Sequence, residues 1–169
     1  SMTVEKYKII YQKLKQVTQG ISKNASEYKK AKKIYIRLGK MISYDEEQDS
    51  KENSKEYEFE DNFYKCRNLE NGLLKGKSVC LGYAEILKQA LSLVGIECKI
   101  CFSEVTDDGE SHSYNQIKIE GIWYNADLTW DSENIKRNKK MQYFLKSDKD
   151  FRKVTAKSDE CLHYSAEPE

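Results

Sequence analysis

The segment "KSVCLGYAEIL", residues 77–87, predicts a helix that begins at a cysteine. Apolar side chains recur at helical spacing within and beyond this segment, at Tyr83, Leu87, Ala90, Leu91 and Val94. Gly95 fits the left-handed position at which many helices end. We therefore predict a helix from Val79 to Val94 that carries Cys80 in its first turn.

The spacing of apolar residues changes from helical to alternating after Gly95. Three segments predict strands: "GIECKICFSEV" (95–105), "SHSYNQIKIE" (111–120) and "IWYNADLTW" (122–130). The turns "TDDGE" and "EG" join them as antiparallel neighbours. The segment "MQYFLKS", residues 141–147, predicts a fourth strand.

Two further helices are predicted before the central one. In the first, Val4, Tyr7, Tyr11, Leu14 and Val17 are expected to face the core, and Gly20 ends it. The second runs from about Ala25 to Ser43, with one face made of Tyr28, Ala31, Tyr35, Leu38 and Ile42. Asn24 and Glu27 resemble a capping box at its start.

The order of these elements, helices first and an antiparallel sheet afterwards, predicts the α+β class. We expect a single domain over 1–169, with a helical N-terminal part (1–43) and a core at 70–150. The polar segment 45–56, "DEEQDSKENSKE", predicts a surface loop.

Composition restricts the classes of function. The 29 Lys and Arg nearly balance the 28 Asp and Glu, which argues against a nucleic-acid binder. No window approaches the ~20 apolar residues of a membrane span.

No signal peptide is visible, which favours the cytoplasm. Ser1-Met2 resembles a cloning remnant, however, so a secreted or cell-surface origin is the alternative hypothesis. The oligomeric state is left open.

The five cysteines are odd in number, which favours free thiols over a disulfide framework. Cys98 and Cys101 form a C-x-x-C motif, but it lies in a predicted strand. A zinc site needs a second ligand pair and a redox pair needs a helix start, so both cysteines are interpreted as structural. No metal and no cofactor are predicted. Cys66, Cys161 and His163 have no assigned role.

Cys80 is either a small core residue or a nucleophile. A helix N-terminus has a partial positive charge and N–H groups without helical partners, and both favour a thiolate. A thiol nucleophile also needs a base and a group that orients the base. His112 begins a predicted strand, and Asp127 lies near the end of the next. If the hairpin turns at Glu120-Gly121, His112 lies opposite a residue near Leu128, which is next to Asp127. The side chains of His112 and Asp127 can then meet across the pair of strands.

The segments "GKSVCLGYA", "HSYNQI" and "GIWYNADLTWD", in this order, resemble the core of the transglutaminase-like superfamily. Its pattern runs G-x-x-V-C-x-G-Y-A, H-A-W-N-x-V and G-x-W-Y-x-V-D-x-T-W. "YFLKSD", residues 143–148, resembles the segment that follows in bacterial members. The resemblance covers about 70–150 and implies a papain-like fold with a Cys–His–Asp triad. On it, Cys80 is the nucleophile, His112 the base and Asp127 the orienting carboxylate.

The chain also departs from the family pattern. Ser113 replaces a common Ala, Tyr114 replaces Trp and Ala126 replaces Val. Animal transglutaminases support the oxyanion with a Trp that precedes the cysteine, and this chain has no Trp before Trp123. Tyr44 in "ISYDEE" is the proposed substitute. The acidic segment 45–56 lacks EF-hand spacing, so no calcium site is expected.

The resemblance implies a thiol acyl-transfer enzyme that acts on amides of protein or peptide substrates. Hydrolysis by a cysteine peptidase or amidase is favoured, because water is the default acceptor. Protein crosslinking by a transglutaminase is the alternative, and a non-catalytic binding or scaffolding module on the same fold is a hypothesis of another class. Tyr114 and Trp130 are expected either to line the substrate cleft or to pack in the core.

Overall fold

A computed structural model describes residues 3–52, 67–103 and 112–155. Its elements in chain order are α1 (Val4–Thr18), α2 (Glu27–Met41), β1 (Ser43–Tyr44), α3 (Glu46–Glu52), a π-helical turn (Asn71–Lys75), β2 (Lys77–Ser78), α4 (Cys80–Ser92), β3 (Cys98–Ser103), β4 (His112–Ile119), β5 (Ile122–Ala126), α5 (Leu128–Lys136) and α6 (Asp148–Thr155). None of the helices in these ranges combines the length and the apolar character that crossing a bilayer requires.

The helix α4 is the centre of the fold. Its apolar face packs against the antiparallel sheet β3–β4–β5 and against α1 and α2. The core that they share includes Ile34, Leu38, Leu87 and Ile117, each fully buried. This arrangement confirms the predicted α+β class.

The hairpin β4–β5 turns at Glu120-Gly121, as predicted. The residues that pair across it are shifted by one position from the predicted register. Ile119 pairs with Ile122, and the ladder ends where Asn115 pairs with Ala126. It ends there because Asp127 caps the N-terminus of α5. The predicted third strand is therefore wrong beyond Ala126, since "LTW" begins a helix.

The short strands β1 and β2 pair in parallel and lead directly into α4. Tyr44 lies opposite Ser78, two residues before Cys80. The first turn of α4 approaches this strand so closely that a Cβ on Gly82 would lie 1.7 Å from Oγ of Ser78. Glycine in "CLGYA" is thus required by the contact between the strand and the helix.

The buried face of α1 differs from the prediction. Leu14 and Val17 are buried together with Ile10, whereas Val4, Tyr7 and Tyr11 are exposed. The helix has apolar residues on more than one side, and the core covers the stripe at positions 10, 14 and 17.

Three local predictions are also wrong. The helix α2 begins at Glu27 and is capped by the Ser26 side chain, which accepts the Lys29 N–H, so Asn24 and Glu27 do not form a capping box. The segment 45–56, predicted as a loop, contains the helix α3 from Glu46 to Glu52, and 53–56 lie outside the described residues. The segment "MQYFLKS" is not a strand, and its β-type pairing is an isolated bridge from Lys146 to Asn125.

Candidate active site

Cys80 is the first residue of α4 and is half-buried. The backbone N–H groups of a first helical turn have no partner within the helix, and the helix dipole adds a partial positive charge there. The start of α4 therefore offers its thiol an environment that favours negative charge.

His112 and Asp127 meet across the hairpin, as the sequence predicts. Nε2 of His112 lies 2.5 Å from Oδ2 of Asp127. The Asp127 side chain is completely buried, and the imidazole is 19% exposed. The second ring nitrogen, Nδ1, is not bonded to Asp127, and the Cys80 side chain lies close enough to the imidazole to raise its pKa.

These neighbours change the protonation of His112. Burial by itself lowers the pKa of the imidazole, but its hydrogen bonds to Asp127 and Cys80 and the negative charges of these two groups outweigh that effect. The net effect raises the pKa of His112 to about 10. The imidazole is therefore an imidazolium at neutral pH, between the Asp127 carboxylate and the sulfur of Cys80.

Asp127 is fixed in place by two further interactions. Its Oδ1 accepts the backbone N–H of Trp130, at 3.1 Å, as the N-cap of α5. Its own backbone N–H donates to the carbonyl of Tyr143, at 2.9 Å. The carboxylate that holds His112 is thus a structural part of a helix start and cannot turn away freely.

Trp130 lies beside His112. Its indole stacks on the imidazole of His112, and its edge contacts the ring of Tyr143 at a centroid distance of 5.3 Å. The residue is 38% exposed, so one part packs and another faces solvent. This combination fits a wall of a cleft next to His112.

Tyr114 does not line the cleft. It is 1% exposed, and its ring packs 5.2 Å from that of Phe151 in α6, together with Cys101. Tyr44 is 37% exposed and lies beside the strand that leads into α4. Trp130 thus lies next to the imidazole, and Tyr44 lies near the start of α4. Tyr114 packs in the core.

A buried network behind the site was not found by sequence reasoning. Asp131 is fully buried and accepts the hydroxyl of Tyr35 from α2 at 2.6 Å. It also accepts the backbone N–H groups of Gln142 and Tyr143. This carboxylate ties α2 and α5 to the segment that packs on Trp130. In the sequence, the feature that could have indicated this network is Asp131 itself, a second Asp one helical turn after Asp127.

The other cysteines that the structure describes do not resemble Cys80. Burial raises the pKa of the Cys98 thiol to about 12, against a weaker opposing effect of the Asn115 side chain. Burial likewise raises the pKa of Cys101 to about 11. Both are free thiols on β3. Cys66, Cys161 and His163 lie outside the described residues, and within them no cluster of three or more metal-ligating side chains occurs.

One family profile and two solved structures are similar to this chain. The sequence profile of the transglutaminase-like superfamily matches residues 15–128. A crystal structure of a TGase superposes with a TM-score of 0.59 at 18% identity, over 75% of this chain and 33% of that one. A candidate cysteine protease from Cytophaga hutchinsonii gives a TM-score of 0.43 at 19% identity, over 76% and 39%. The chain thus spans well under half of either structure. None of the curated proteins compared with it matches.

Proposed function

Because the chain belongs to the transglutaminase-like superfamily, we propose that it is a cysteine enzyme that cleaves amide bonds of polypeptides through a thioester on Cys80. The observation that supports this most directly is the arrangement of three side chains. Asp127 holds one nitrogen of His112, and the other nitrogen is available to the Cys80 thiol. A nucleophile, a base and an orienting group in this relation are what thiol acyl transfer requires.

The first half of the reaction forms the thioester. The Cys80 thiolate attacks the amide carbon, and the carbonyl oxygen becomes an oxyanion. The backbone N–H of Cys80 is one donor for that oxyanion, a contribution of about 3 kcal/mol per donor. The imidazolium of His112 then gives its proton to the nitrogen, the C–N bond breaks, and the amine leaves.

The second half releases the acyl group. The neutral imidazole takes a proton from water, the hydroxide attacks the thioester carbon, and the C–S bond breaks to return the thiolate. If a lysine amine attacks in place of water, the product is an isopeptide crosslink. The three side chains act identically in both cases, so the acceptor decides between hydrolysis and transamidation.

Trp130 and Tyr44 have supporting roles in this proposal. The indole of Trp130 covers one face of the imidazole and forms one wall of the substrate cleft. Tyr44 is carried by β1 to a position opposite Ser78, close to the start of α4, and is the proposed second group that supports the oxyanion.

Selective alkylation tests the proposal without knowledge of the substrate. The rate at which iodoacetamide modifies each cysteine would be measured by peptide mass spectrometry between pH 5 and pH 9. We expect Cys80 to react well below pH 8 and much faster than Cys98 and Cys101, since only thiolates react. His112→Ala should move the Cys80 profile toward that of an ordinary thiol.

The outcome separates the candidate classes. A protected Cys80, or one that reacts like the buried thiols, would contradict the catalytic proposal and favour a binding module on this fold. If Cys80 is activated, amide peptides would be screened with and without an added primary amine. A product that appears only with the amine would assign the chain to crosslinking and not to hydrolysis.

A further inference from the structure

The positive charge of the chain is concentrated in its N-terminal helical part. Residues 1–43 contain eleven Lys and Arg but only two Asp and Glu, a local net charge of +9. The whole chain has a net charge of +1, so residues 44–169 carry −8. The nearly neutral net charge of the chain is therefore the sum of a basic part and an acidic part. The electric field of such a charged part can steer charged partners.

The helix α2 presents a row of lysines to solvent. Lys29, Lys33 and Lys40 are exposed, and their spacing of four and seven residues places them on one side of a helix. Among residues 3–52, 67–103 and 112–155, no acidic side chain forms an ion pair with any of the three. Within that part of the chain, the three lysines therefore have no acidic partner.

The helix α1 has an exposed row at the same spacing, in which apolar and basic side chains alternate: Val4, Lys8, Tyr11 and Lys15. The ammonium group of Lys15 lies 4.7 Å from the centroid of the Tyr11 ring. The ammonium group of Lys32 lies 5.7 Å from that of the Tyr28 ring, at the start of α2. Two of the exposed tyrosine rings thus have a cation beside them.

The helices α1 and α2 are joined by hydrogen bonds and by a shared core. The Arg37 guanidinium of α2 donates to the carbonyls of Val17 and Gln19 at the end of α1, at 2.8 and 2.7 Å. Ile10 of α1 and Ile34 of α2 are buried in the same core. A ligand that binds here meets a preformed surface, which lowers the ordering cost of binding.

We propose that the solvent side of α1 and α2 docks an acidic segment of the polypeptide substrate, an inference that rests on the proposed function for the identity of the ligand as substrate. The lysine row supplies charge complementarity, and the tyrosines supply contacts for the apolar parts of a peptide. The surface is joined to the site through Tyr35 of α2, whose hydroxyl donates to Asp131 behind Trp130. A segment docked on α2 is therefore attached to a helix that packs against both α4, which carries Cys80, and α5.

Two other anionic ligands fit the surface less well. Insertion into a bilayer needs a wide apolar helix face, whereas the exposed apolar residues of α1 have the exposed Lys8 and Lys15 beside them. A nucleic acid is an extended polyanion, so it would also meet the field of the part of the chain that carries −8. A short acidic segment can lie along one helix and avoid that repulsion.

Binding of decaglutamate tests the docking surface. Ten extended residues reach about 33 Å, more than the roughly 22 Å length of α2. The labelled peptide would be titrated with the full chain carrying Cys80→Ala, and its fluorescence anisotropy recorded. We expect the triple variant Lys29→Glu, Lys33→Glu and Lys40→Glu to weaken binding at least about tenfold. Raising the salt from about 0.1 M to about 1 M should weaken it further, because the Debye length falls from about 10 to about 3 Å.

The matched control reverses three exposed lysines outside the two helices: Lys88, Lys140 and Lys149. It changes the net charge of the chain equally, so we expect its affinity to stay within about twofold of the parent protein. Equal losses in the two variants, or no measurable binding by the parent protein, would overturn the proposal. Tighter binding of a ten-nucleotide DNA or of phosphatidylserine vesicles, lost in the α2 variant, would also overturn it.

The outcome does not depend on catalysis. The protein in this assay lacks the Cys80 thiol, so a failure of the catalytic proposal leaves the binding result unchanged. Conversely, the alkylation rates of Cys80 do not involve the lysines of α2. The two proposals can therefore fail separately.

Discussion

The indole of Trp130 lies flat against the imidazole of His112, with ring centroids 4.4 Å apart and ring planes inclined by 6°. The backbone N–H of the same residue donates to Oδ1 of Asp127, whose other oxygen holds His112. Trp130 thus contacts one member of the pair through its side chain and the other through its backbone. The imidazole is confined on its face by stacking and at its edge by a hydrogen bond.

Replacing the indole should weaken the activation of Cys80. We expect Trp130→Ala to lower the alkylation rate of Cys80 at pH 7 by about fivefold, because an aromatic face beside a cation contributes about 1 kcal/mol. Trp130→Phe should lose less, since a ring remains to stack. Both variants keep the backbone N–H that donates to Asp127, so the comparison isolates the side chain. An unchanged rate in Trp130→Ala would show that the stacking has no effect on the thiol.

Removing the charge of Asp127 should impair the site far more than it impairs the fold. Asparagine is also a good N-cap, so Asp127→Asn keeps the start of α5. It removes the negative charge that favours the imidazolium, and we expect alkylation of Cys80 at pH 7 to fall on the order of a hundredfold. Asp127→Ala should lose the same reactivity and about 1 kcal/mol of helix-capping stability in addition. Equal urea midpoints for the two variants would contradict the capping role.

Periodicity predicted most of the elements, and it failed where two interpretations fitted the same residues. In α1, Val4, Tyr7 and Tyr11 form one apolar stripe, and Ile10 shares another with Leu14. Only the packing partners select between such stripes, and they belong to distant segments. The end of β5 was missed for a similar reason, because Asp127 can continue a strand or cap a helix.

The site was predictable where its chemistry restricts the choice of residues. The chain has two histidines, and a hairpin brings one of them to an aspartate, so the arrangement of His112 and Asp127 follows from the turn position. The burial of Tyr114 was not predictable from its own strand, because Phe151 of α6 covers it. The basic character of α1 and α2 was also missed, because the net charge of +1 does not show where along the chain the charges lie.

The close approach of Gly82 to Ser78 predicts a specific stability pattern. A Cβ at residue 82 would lie 1.7 Å from Oγ and 3.0 Å from Cβ of Ser78. We expect Gly82→Ala to cost about 1–3 kcal/mol, the usual cost of overpacking. The free energy of unfolding from urea titrations would measure it.

The Ser78 hydroxyl provides the control for that prediction. Its oxygen is buried and has no hydrogen-bond partner among the described residues, so Ser78→Ala should be neutral or slightly stabilising. In the double variant the 1.7 Å contact is absent, and Gly82→Ala should then cost less than it does alone. Additive costs would show that the serine is not the obstacle.

The raised pKa of His112 predicts how stability depends on pH. The pKa is 6.5 for an ordinary histidine and about 10 in the folded protein. The stabilisation linked to this proton is therefore fully present below pH 6.5 and is lost as the pH rises through 10. Between pH 7 and pH 10, we expect the free energy of unfolding to fall more for the parent protein than for His112→Gln. The difference should be on the order of 2 kcal/mol.

The Cys80→Ala variant identifies the source of that effect. Two of the four influences that raise the pKa of His112 come from Cys80, its hydrogen bond and its negative charge. Without the thiol, the imidazolium keeps only Asp127, so it should lose its proton at a lower pH. The steep part of the stability curve should then move toward neutral pH, by comparison with Cys101→Ala as the control for loss of a thiol. If the curve of Cys80→Ala coincides with that of the parent protein, the thiol and the imidazole do not share the proton on which the proposed reaction depends.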